Sequence, residues 1–178
     1  MYIKRICYPI TSLGPGQRVG IWLTGCKKNC SGCMSPELKD MRAGKSVPVA
    51  KIVGFISTIE GKIDGVTISG GEPFLQADEL LEFVDGIKSI TDDIIVFSGF
   101  TLDELSENDT NKKILSKISV LIDGEYIEAL NDGKGLRGSS NQKIHLFRND
   151  EKYAALEEQP RVLQSYQYDD KVLLIGIQ

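Results

Sequence analysis

Three cysteines lie within eight residues of this chain, in the run Cys26-Lys27-Lys28-Asn29-Cys30-Ser31-Gly32-Cys33. The C-x3-C-x2-C spacing begins just after the apolar run Val19 to Leu23. Iron–sulfur clusters are held by cysteine thiolates, usually four of them. Three thiolates in one loop would bind three irons of a [4Fe–4S] cube and leave the fourth iron open to a non-protein ligand. The spacing therefore indicates a cluster at which chemistry takes place.

Two other interpretations of the cysteines stay open. A structural zinc site normally has four protein ligands in two separated pairs, but here a second pair is missing and the only histidine, His145, is distant in the sequence. In the second interpretation, the three thiols bind no metal and have no chemical role. Cys7 lies on a predicted apolar strand and is interpreted as a small buried side chain. As a fourth ligand, Cys7 would instead close the cluster to other molecules.

Polar side chains and a glycine pair come at the ends of further predicted strands. Gly70-Gly71-Glu72-Pro73 follows one apolar run, Ser98 follows the next, and Asp123 ends a third. Because the carboxyl ends of parallel strands meet at one edge of a sheet, we expect these residues to gather there with Cys26. The simpler interpretation of each is an ordinary turn or helix cap.

The hydrophobic pattern predicts alternating strands and helices in one domain. Strands are predicted at 1–9, 18–24, 63–69, 93–97, 118–123 and 143–147. Helices are predicted across 80–87, near 101–105, across 112–117 and behind Pro48, where Ile52, Phe55, Ile56 and Ile59 recur at helical spacing. Alternation from residue 18 to 123 implies βαβ units around a parallel sheet. Toward the end, Arg161 to Tyr168 and Lys171 to Ile177 flank Asp169-Asp170 as a predicted hairpin.

Chain length limits the architecture. At 178 residues the chain is too short for a complete eight-fold β/α barrel, which typically takes about 250 residues. We therefore expect an α/β fold in the form of a partial, open (β/α) barrel, edged by a small C-terminal β element. The whole of 1–178 is predicted to be a single domain, with a core at about 15–147 and a C-terminal β extension at about 148–178.

The composition of the chain excludes several classes of protein. Charged residues make up 26% of the chain and the net charge is −4, which gives no sign of a nucleic-acid surface. No apolar run approaches the roughly 20 residues that span a membrane, and the N-terminus lacks the pattern of a signal peptide. Four cysteines without an export signal favour metal or redox chemistry over disulfides. We expect a cytoplasmic protein without nucleic-acid or membrane partners.

The order of these motifs resembles that of the radical S-adenosylmethionine (SAM) enzymes. The cysteine motif, followed by the strand-like Val66-Thr67-Ile68-Ser69 and then by Gly-Gly-Glu-Pro, is typical of that superfamily. Three later segments resemble the anaerobic ribonucleotide reductase activating proteins, in the same order: Phe97 to Leu105, Val120 to Gly124, and Leu136 to Gln142 with the letters LRGSSNQ. The resemblance covers about residues 15 to 147, and it implies a partial barrel of the radical SAM type.

The resemblance also implies which residues bind the cofactors. Cys26, Cys30 and Cys33 would hold a [4Fe–4S] cluster whose open iron binds SAM. Gly70 and Gly71 would let the backbone approach the methionyl group of SAM without a Cβ in the way. Glu72 would accept a charge-assisted hydrogen bond from the SAM amino group. Further candidates are Ser98 and Asp123 for the SAM ribose or carboxylate, and Arg137 and Asn141 for SAM or for the backbone of a partner.

The function implied by the resemblance is that of a glycyl-radical activating enzyme. Such an enzyme cleaves SAM reductively and forms a glycyl radical on a large partner, the anaerobic ribonucleoside-triphosphate reductase. A flavodoxin- or ferredoxin-like protein would donate the electron. One alternative is a radical SAM enzyme of a biosynthetic or peptide-modifying pathway on the same minimal scaffold. Another is a non-catalytic iron–sulfur electron-transfer protein, which would need a fourth ligand such as Cys7.

The chain departs from the family pattern at three places. Met34 follows the third cysteine where many activating proteins have an aromatic residue, and Glu125 stands where a proline is common. The chain also continues beyond the RGSSNQ segment to the apolar run Leu173 to Ile177. These departures bear on the identity of the partner more than on the SAM chemistry.

Overall fold

A computed structural model describes residues 1–168 and 171–178 of the chain. Its strands are β1 (Tyr2–Ile10), β2 (Arg18–Leu23), β3 (Lys45–Ser46), β4 (Gly65–Gly70), β5 (Ile94–Phe97), β6 (Val120–Asp123), β7 (Lys143–Leu146), β8 (Gln164–Tyr168) and β9 (Lys171–Ile175). Its α-helices are α1 (Val49–Ser57), α2 (Ala77–Ile87), α3 (Leu102–Leu105) and α4 (Asp109–Leu115). The predicted alternation of strands and helices between residues 18 and 123 is therefore confirmed.

One sheet of seven strands, in the order β3-β1-β2-β4-β5-β6-β7, organises the fold. The neighbours β2, β4, β5 and β6 run parallel, as the βαβ pattern predicts. An antiparallel strand lies on each side of this parallel core, since β1 pairs with β2 and β7 pairs with β6. The fold is thus mixed α/β, and the described strands do not close into a barrel, because β3 and β7 end the sheet without pairing with each other.

The two faces of the sheet bury different parts of the chain. Side chains alternate along a strand, so each face receives its own set. On one face, Val19, Ile21 and Leu23 of β2 pack in one core with the helix residues Ile52, Leu80, Phe83 and Ile114. On the other face, Ile95, Val120 and Ile122 pack with Tyr153, Leu156, Ile175 and Ile177. The helices therefore cover one face and the C-terminal residues cover the other.

The C-terminal β element takes a different place from the one predicted. β8 and β9 pair antiparallel, which confirms the hairpin, although Asp169-Asp170 lie outside the described residues. The pair forms a separate two-stranded sheet instead of extending the edge of the main sheet. The reason is that Ile175 and Ile177 bury their side chains against the face of the main sheet.

The sequence signals that predicted the helices agree with the structure in part. The capping box of α3 is present, since Thr101 Oγ1 accepts from the Glu104 backbone N–H at 3.3 Å and the Glu104 carboxylate accepts from the Thr101 backbone N–H at 2.6 Å. α4 begins earlier than predicted because Asn108 caps it, accepting a hydrogen bond from the Asn111 backbone N–H. Of the apolar residues that predicted α1, Ile52 and Ile56 are buried, whereas the side chain of Phe55 is 55% exposed.

A buried cation fixes the amino-terminal ends of the parallel strands. Arg18 opens β2 and is completely buried. Its guanidinium donates to Thr67 Oγ1 of β4 at 2.7 Å and to Asp93 Oδ1, just before β5, at 2.9 Å. A buried charge is tolerated only when it is paired and hydrogen-bonded in this way. The interaction holds β2, β4 and β5 in register, which leaves their carboxyl ends aligned at the opposite edge.

Across the residues that the structure describes, no helix has both the length and the apolar character needed to cross a lipid bilayer.

Candidate cluster and cofactor site

A cavity of about 290 Å³ lies at the carboxyl ends of the parallel strands, and we call it the cysteine cavity. Its lining includes Cys26, Cys30 and Cys33 from the loop after β2, Gly70, Gly71 and Glu72 at the end of β4, Phe97, Ser98 and Gly99 at the end of β5, and Gly124 and Tyr126 after β6. The expected gathering at one edge of the sheet is confirmed for Cys26, Gly70 and Ser98, whereas after β6 the cavity is lined by Gly124 and not by Asp123.

The cysteine loop is anchored by the backbone next to β2. The Gly25 N–H donates to the Leu38 carbonyl at 2.8 Å, and the Cys26 N–H donates to the Lys39 carbonyl at 3.0 Å. The Thr24 hydroxyl donates to the Met41 carbonyl at 2.9 Å. These bonds join the start of the cysteine loop, directly after β2, to residues 38–41 that follow the loop, and Cys30 and Cys33 lie between the two joined segments.

The donor set of the cysteine cavity fits an iron–sulfur cube. All three thiols are free and partly buried, and burial raises the pKa of the Cys26 and Cys30 thiols. Cysteine binds metal as the thiolate, so binding of a cluster would release these thiol protons. Among the described residues, no three histidine, cysteine or acidic side chains are grouped closely enough to hold a single metal ion. A cube takes one thiolate per iron, so its ligands surround a larger centre than a lone zinc does.

Cys7 is separated from the other three cysteines. It lies in β1 opposite Gly20 of β2 and packs against the core that the C-terminal residues cover. It does not line the cysteine cavity. This placement agrees with the interpretation of Cys7 as a packing residue.

Gly70 and Gly71 let the end of β4 approach the end of β2 closely. The Gly71 N–H donates to the Leu23 carbonyl at 2.9 Å, and Gly70 has a φ of +111°. A Cβ on Gly70 would lie 2.3 Å from the Leu23 carbonyl oxygen, and one on Gly71 would lie 2.3 Å from the carbonyl oxygen of Gly25. Side chains at these positions would therefore push the cysteine loop away from β4.

Glu72 is completely buried and forms a bridge between two strand ends. Its Oε1 accepts from the Phe74 backbone N–H at 3.1 Å and from Ser98 Oγ at 3.0 Å, and its Oε2 accepts from the Gly99 backbone N–H at 2.7 Å. Burial raises the pKa of this carboxyl, and the three hydrogen bonds and the charge of Lys28 oppose that effect. A carboxylate has about four acceptor positions. One acceptor position on Oε2 is therefore not used by these three donors.

Asp123, Arg137 and Asn141 bond to the protein itself and do not line the cysteine cavity. Asp123 Oδ2 accepts from the Leu102 backbone N–H at 2.5 Å, which caps α3. Arg137 donates to Asp132 Oδ2 at 3.2 Å, and Asn141 Nδ2 donates to the Glu125 carbonyl at 2.8 Å. The contacts predicted for these three side chains with SAM or with a partner stay predictions.

Known proteins provide the decisive comparison. The family model described as "4Fe-4S single cluster domain" matches residues 12–145. Over 150 residues the chain is 31% identical to the "Anaerobic ribonucleoside-triphosphate reductase-activating protein" of Escherichia coli K12, an alignment that covers 79% of this chain and 96% of that protein. Proteins of the same name are 35% identical in Haemophilus influenzae (76% and 91% covered) and 34% identical in Vibrio cholerae (79% and 95% covered).

The chain belongs to the family of anaerobic ribonucleoside-triphosphate reductase-activating proteins. This membership confirms the resemblance drawn from the motifs and makes the chain an enzyme. The matched domain is named for an iron–sulfur cluster, in agreement with the chemistry of the cysteine loop. The biosynthetic and electron-transfer alternatives are not favoured.

Two features of the site were not predicted from the sequence. Gln142 fastens the 137–142 loop to the end of β6, because its Oε1 accepts from the Gly138 N–H at 2.7 Å and its Nε2 donates to the Gly124 carbonyl at 2.7 Å. The second feature is the C-terminal run from Leu173 to Gln178, which lines the cysteine cavity. The RGSSNQ segment of the sequence indicated the loop that Gln142 holds, whereas the C-terminal run was predicted only as an apolar strand.

Proposed function

We propose that this chain is a radical SAM activating enzyme that forms a glycyl radical on an anaerobic ribonucleoside-triphosphate reductase. The observation that carries the proposal is the cysteine cavity, where three free thiols share one lining with Gly70, Gly71 and Glu72. The names of the aligned relatives supply the partner. In this proposal the open mixed sheet is a partial barrel of the radical SAM type, and residues 1–178 form a single domain.

The roles proposed for the cavity residues follow from their chemistry. Cys26, Cys30 and Cys33 would hold a [4Fe–4S] cluster, and Glu72 would accept a hydrogen bond from the SAM ammonium at the open position on Oε2. Ser98 would hold the Glu72 carboxylate in place through its hydroxyl. When bound, the reduced cluster supplies one electron that breaks a carbon–sulfur bond of SAM, giving methionine and a radical able to take hydrogen from glycine. A flavodoxin- or ferredoxin-like protein is the proposed electron donor.

Apolar side chains in the lining would limit the access of water to such chemistry. They include Trp22 and Phe97 of the main sheet and Ile175 of β9. An apolar lining excludes solvent from a reactive species and so limits side reactions. The mouth of the cavity is open, as expected for an enzyme whose substrate is a glycine held in a loop of another protein.

The experiment that tests the proposal mixes the reconstituted protein with its cognate reductase, SAM and a reductant under anaerobic conditions. A doublet electron paramagnetic resonance signal from a glycyl radical is expected, and Cys30→Ala serves as the inactive control. Cleavage of SAM without this signal would favour the biosynthetic alternative. An intact cluster that cleaves no SAM would favour the electron-transfer alternative.

A further inference from the structure

The C-terminal residues form a part of the site that the family model does not include. That model ends at residue 145. Residues 161–168 and 171–178 come after it, and their apolar side chains pack on the face of the sheet opposite the helices, with Ile175 and Ile177 almost fully buried there. We call these two described stretches the C-terminal wall.

One end of the C-terminal wall is bonded to the β1 side of the sheet. Gln164 Oε1 accepts from the Thr11 backbone N–H at 3.0 Å, and Gln164 Nε2 donates to the Pro9 carbonyl at 2.9 Å. Ser12 Oγ donates to the Ile175 carbonyl at 2.9 Å. These bonds attach both strands of the hairpin to the segment that ends β1.

The other end is bonded beyond β6, on the far side of the parallel strands. Arg161 Nη2 donates to the Arg137 carbonyl at 2.7 Å, and Arg161 Nη1 donates to the Gln178 carbonyl at 2.9 Å. Because β2, β4 and β5 lie between β1 and β6, the C-terminal wall crosses the open face of the sheet. Arg161 is its positioning residue, since it joins the last residue of the wall to the 137–142 loop.

Two exposed apolar side chains of β9 differ in whether they line the cysteine cavity. Val172 and Leu174 are two residues apart on β9, and both are exposed, at 66% and 54%. Leu174 lines the cysteine cavity, whereas Val172 does not. Met34, directly after the third cysteine, also lines the cavity and is 45% exposed. Exposed apolar side chains at a cavity mouth are typical of a binding site.

We propose that the C-terminal wall closes one side of the cofactor site and that Leu174, with Met34, contacts the glycine-bearing loop of the partner reductase. The proposal rests on the function proposed above. We assign the reductase loop to this surface because Leu174 and Met34 line the cavity that would hold the cofactors. The target glycine must come to this cavity to react. Leu174 and Met34 suit an uncharged part of that loop, since a charged group would lose its hydration against them. The hydrogen bonds at both ends fix the C-terminal wall before the partner binds, which lowers the entropy cost of binding.

Photo-crosslinking tests the contact without using activity. The photoreactive amino acid p-benzoylphenylalanine is placed at position 174 or, as the matched control, at position 172, and the full-length protein is irradiated with the reductase. We expect position 174, and not position 172, to crosslink to the reductase peptide that holds the target glycine. Equal crosslinking from both positions, or crosslinking from position 174 only to other peptides, would overturn the proposal.

A pair of variants separates this proposal from the proposed function. Leu174→Ser is expected to weaken binding of the reductase about fivefold, as befits the loss of one partly buried apolar contact. Val172→Ser is expected to bind as the wild type does. Equal affinities in a system where the wild type forms the glycyl radical would overturn the C-terminal wall as a docking element. Absence of that radical from the wild-type system would instead refute the proposed function.

Discussion

Replacing Cys26, Cys30 or Cys33 by alanine is expected to abolish the iron–sulfur cluster, whereas Cys7→Ala is expected to keep it. Two thiolates cannot hold a cube stably, and each of the three cavity thiols is needed for one iron. Cys7 is partly buried, lies opposite Gly20 and does not line the cavity, so its loss should affect packing alone. Iron and acid-labile sulfide per chain, measured after anaerobic reconstitution, check the expectation.

Cys7→Ala is also the matched control for these variants. It removes the same atoms from the same chain and leaves the cysteine loop untouched. If Cys7→Ala loses iron as completely as Cys30→Ala does, the model of three ligands and one open iron is wrong.

Glu72→Gln is expected to keep the cluster and to weaken SAM binding about ten- to a hundredfold. That range corresponds to about 1.5–3 kcal/mol, the typical value of a hydrogen bond to a charged group. Glutamine has nearly the same shape as glutamate but lacks the negative charge that would attract the SAM ammonium. Glutamine can still accept from Phe74 and Ser98 through its one oxygen, although its NH2 group would face the Gly99 N–H. Alanine is a poorer test, because it would leave all three buried donors without their acceptor. Anaerobic titration of the reconstituted protein with SAM measures the affinity.

Glu104→Gln is the control for the charge of Glu72. Glu104 lies 3.6 Å from the amine of Lys28, which also lines the cavity, but Glu104 itself does not. Its replacement removes one negative charge near the site and should leave SAM affinity almost unchanged. Equal SAM affinity of Glu72→Gln and the wild type would remove Glu72 from the cofactor site.

The local parts of the site were predictable because their signals lie within a few residues of one another. The C-x3-C-x2-C spacing and the glycine pair after an apolar strand each specify a backbone path and a chemistry. The common position of Cys26, Gly70 and Ser98 then follows from the parallel arrangement of β2, β4 and β5.

The parts that were not predictable depend on partners distant in the sequence. The sequence places Asp123 at the end of a strand but does not show that it caps α3 through the Leu102 N–H, a donor that the first turn of a helix leaves unsatisfied. The alternation of β9 shows that one of its faces is buried but not which surface covers that face. Arg161 carries no signal at all, since its role depends on carbonyl groups of the 137–142 loop and of Gln178.

Deuterium transfer from the target glycine decides whether this chain generates its radical on a protein. The cognate reductase is prepared with deuterium at the glycine Cα and mixed anaerobically with the reconstituted protein, SAM and a reductant. The proposed function predicts deuterium in the 5′-deoxyadenosine that is released, in step with growth of the glycyl radical signal. Release of 5′-deoxyadenosine free of deuterium, with no glycyl radical on the reductase, would contradict it.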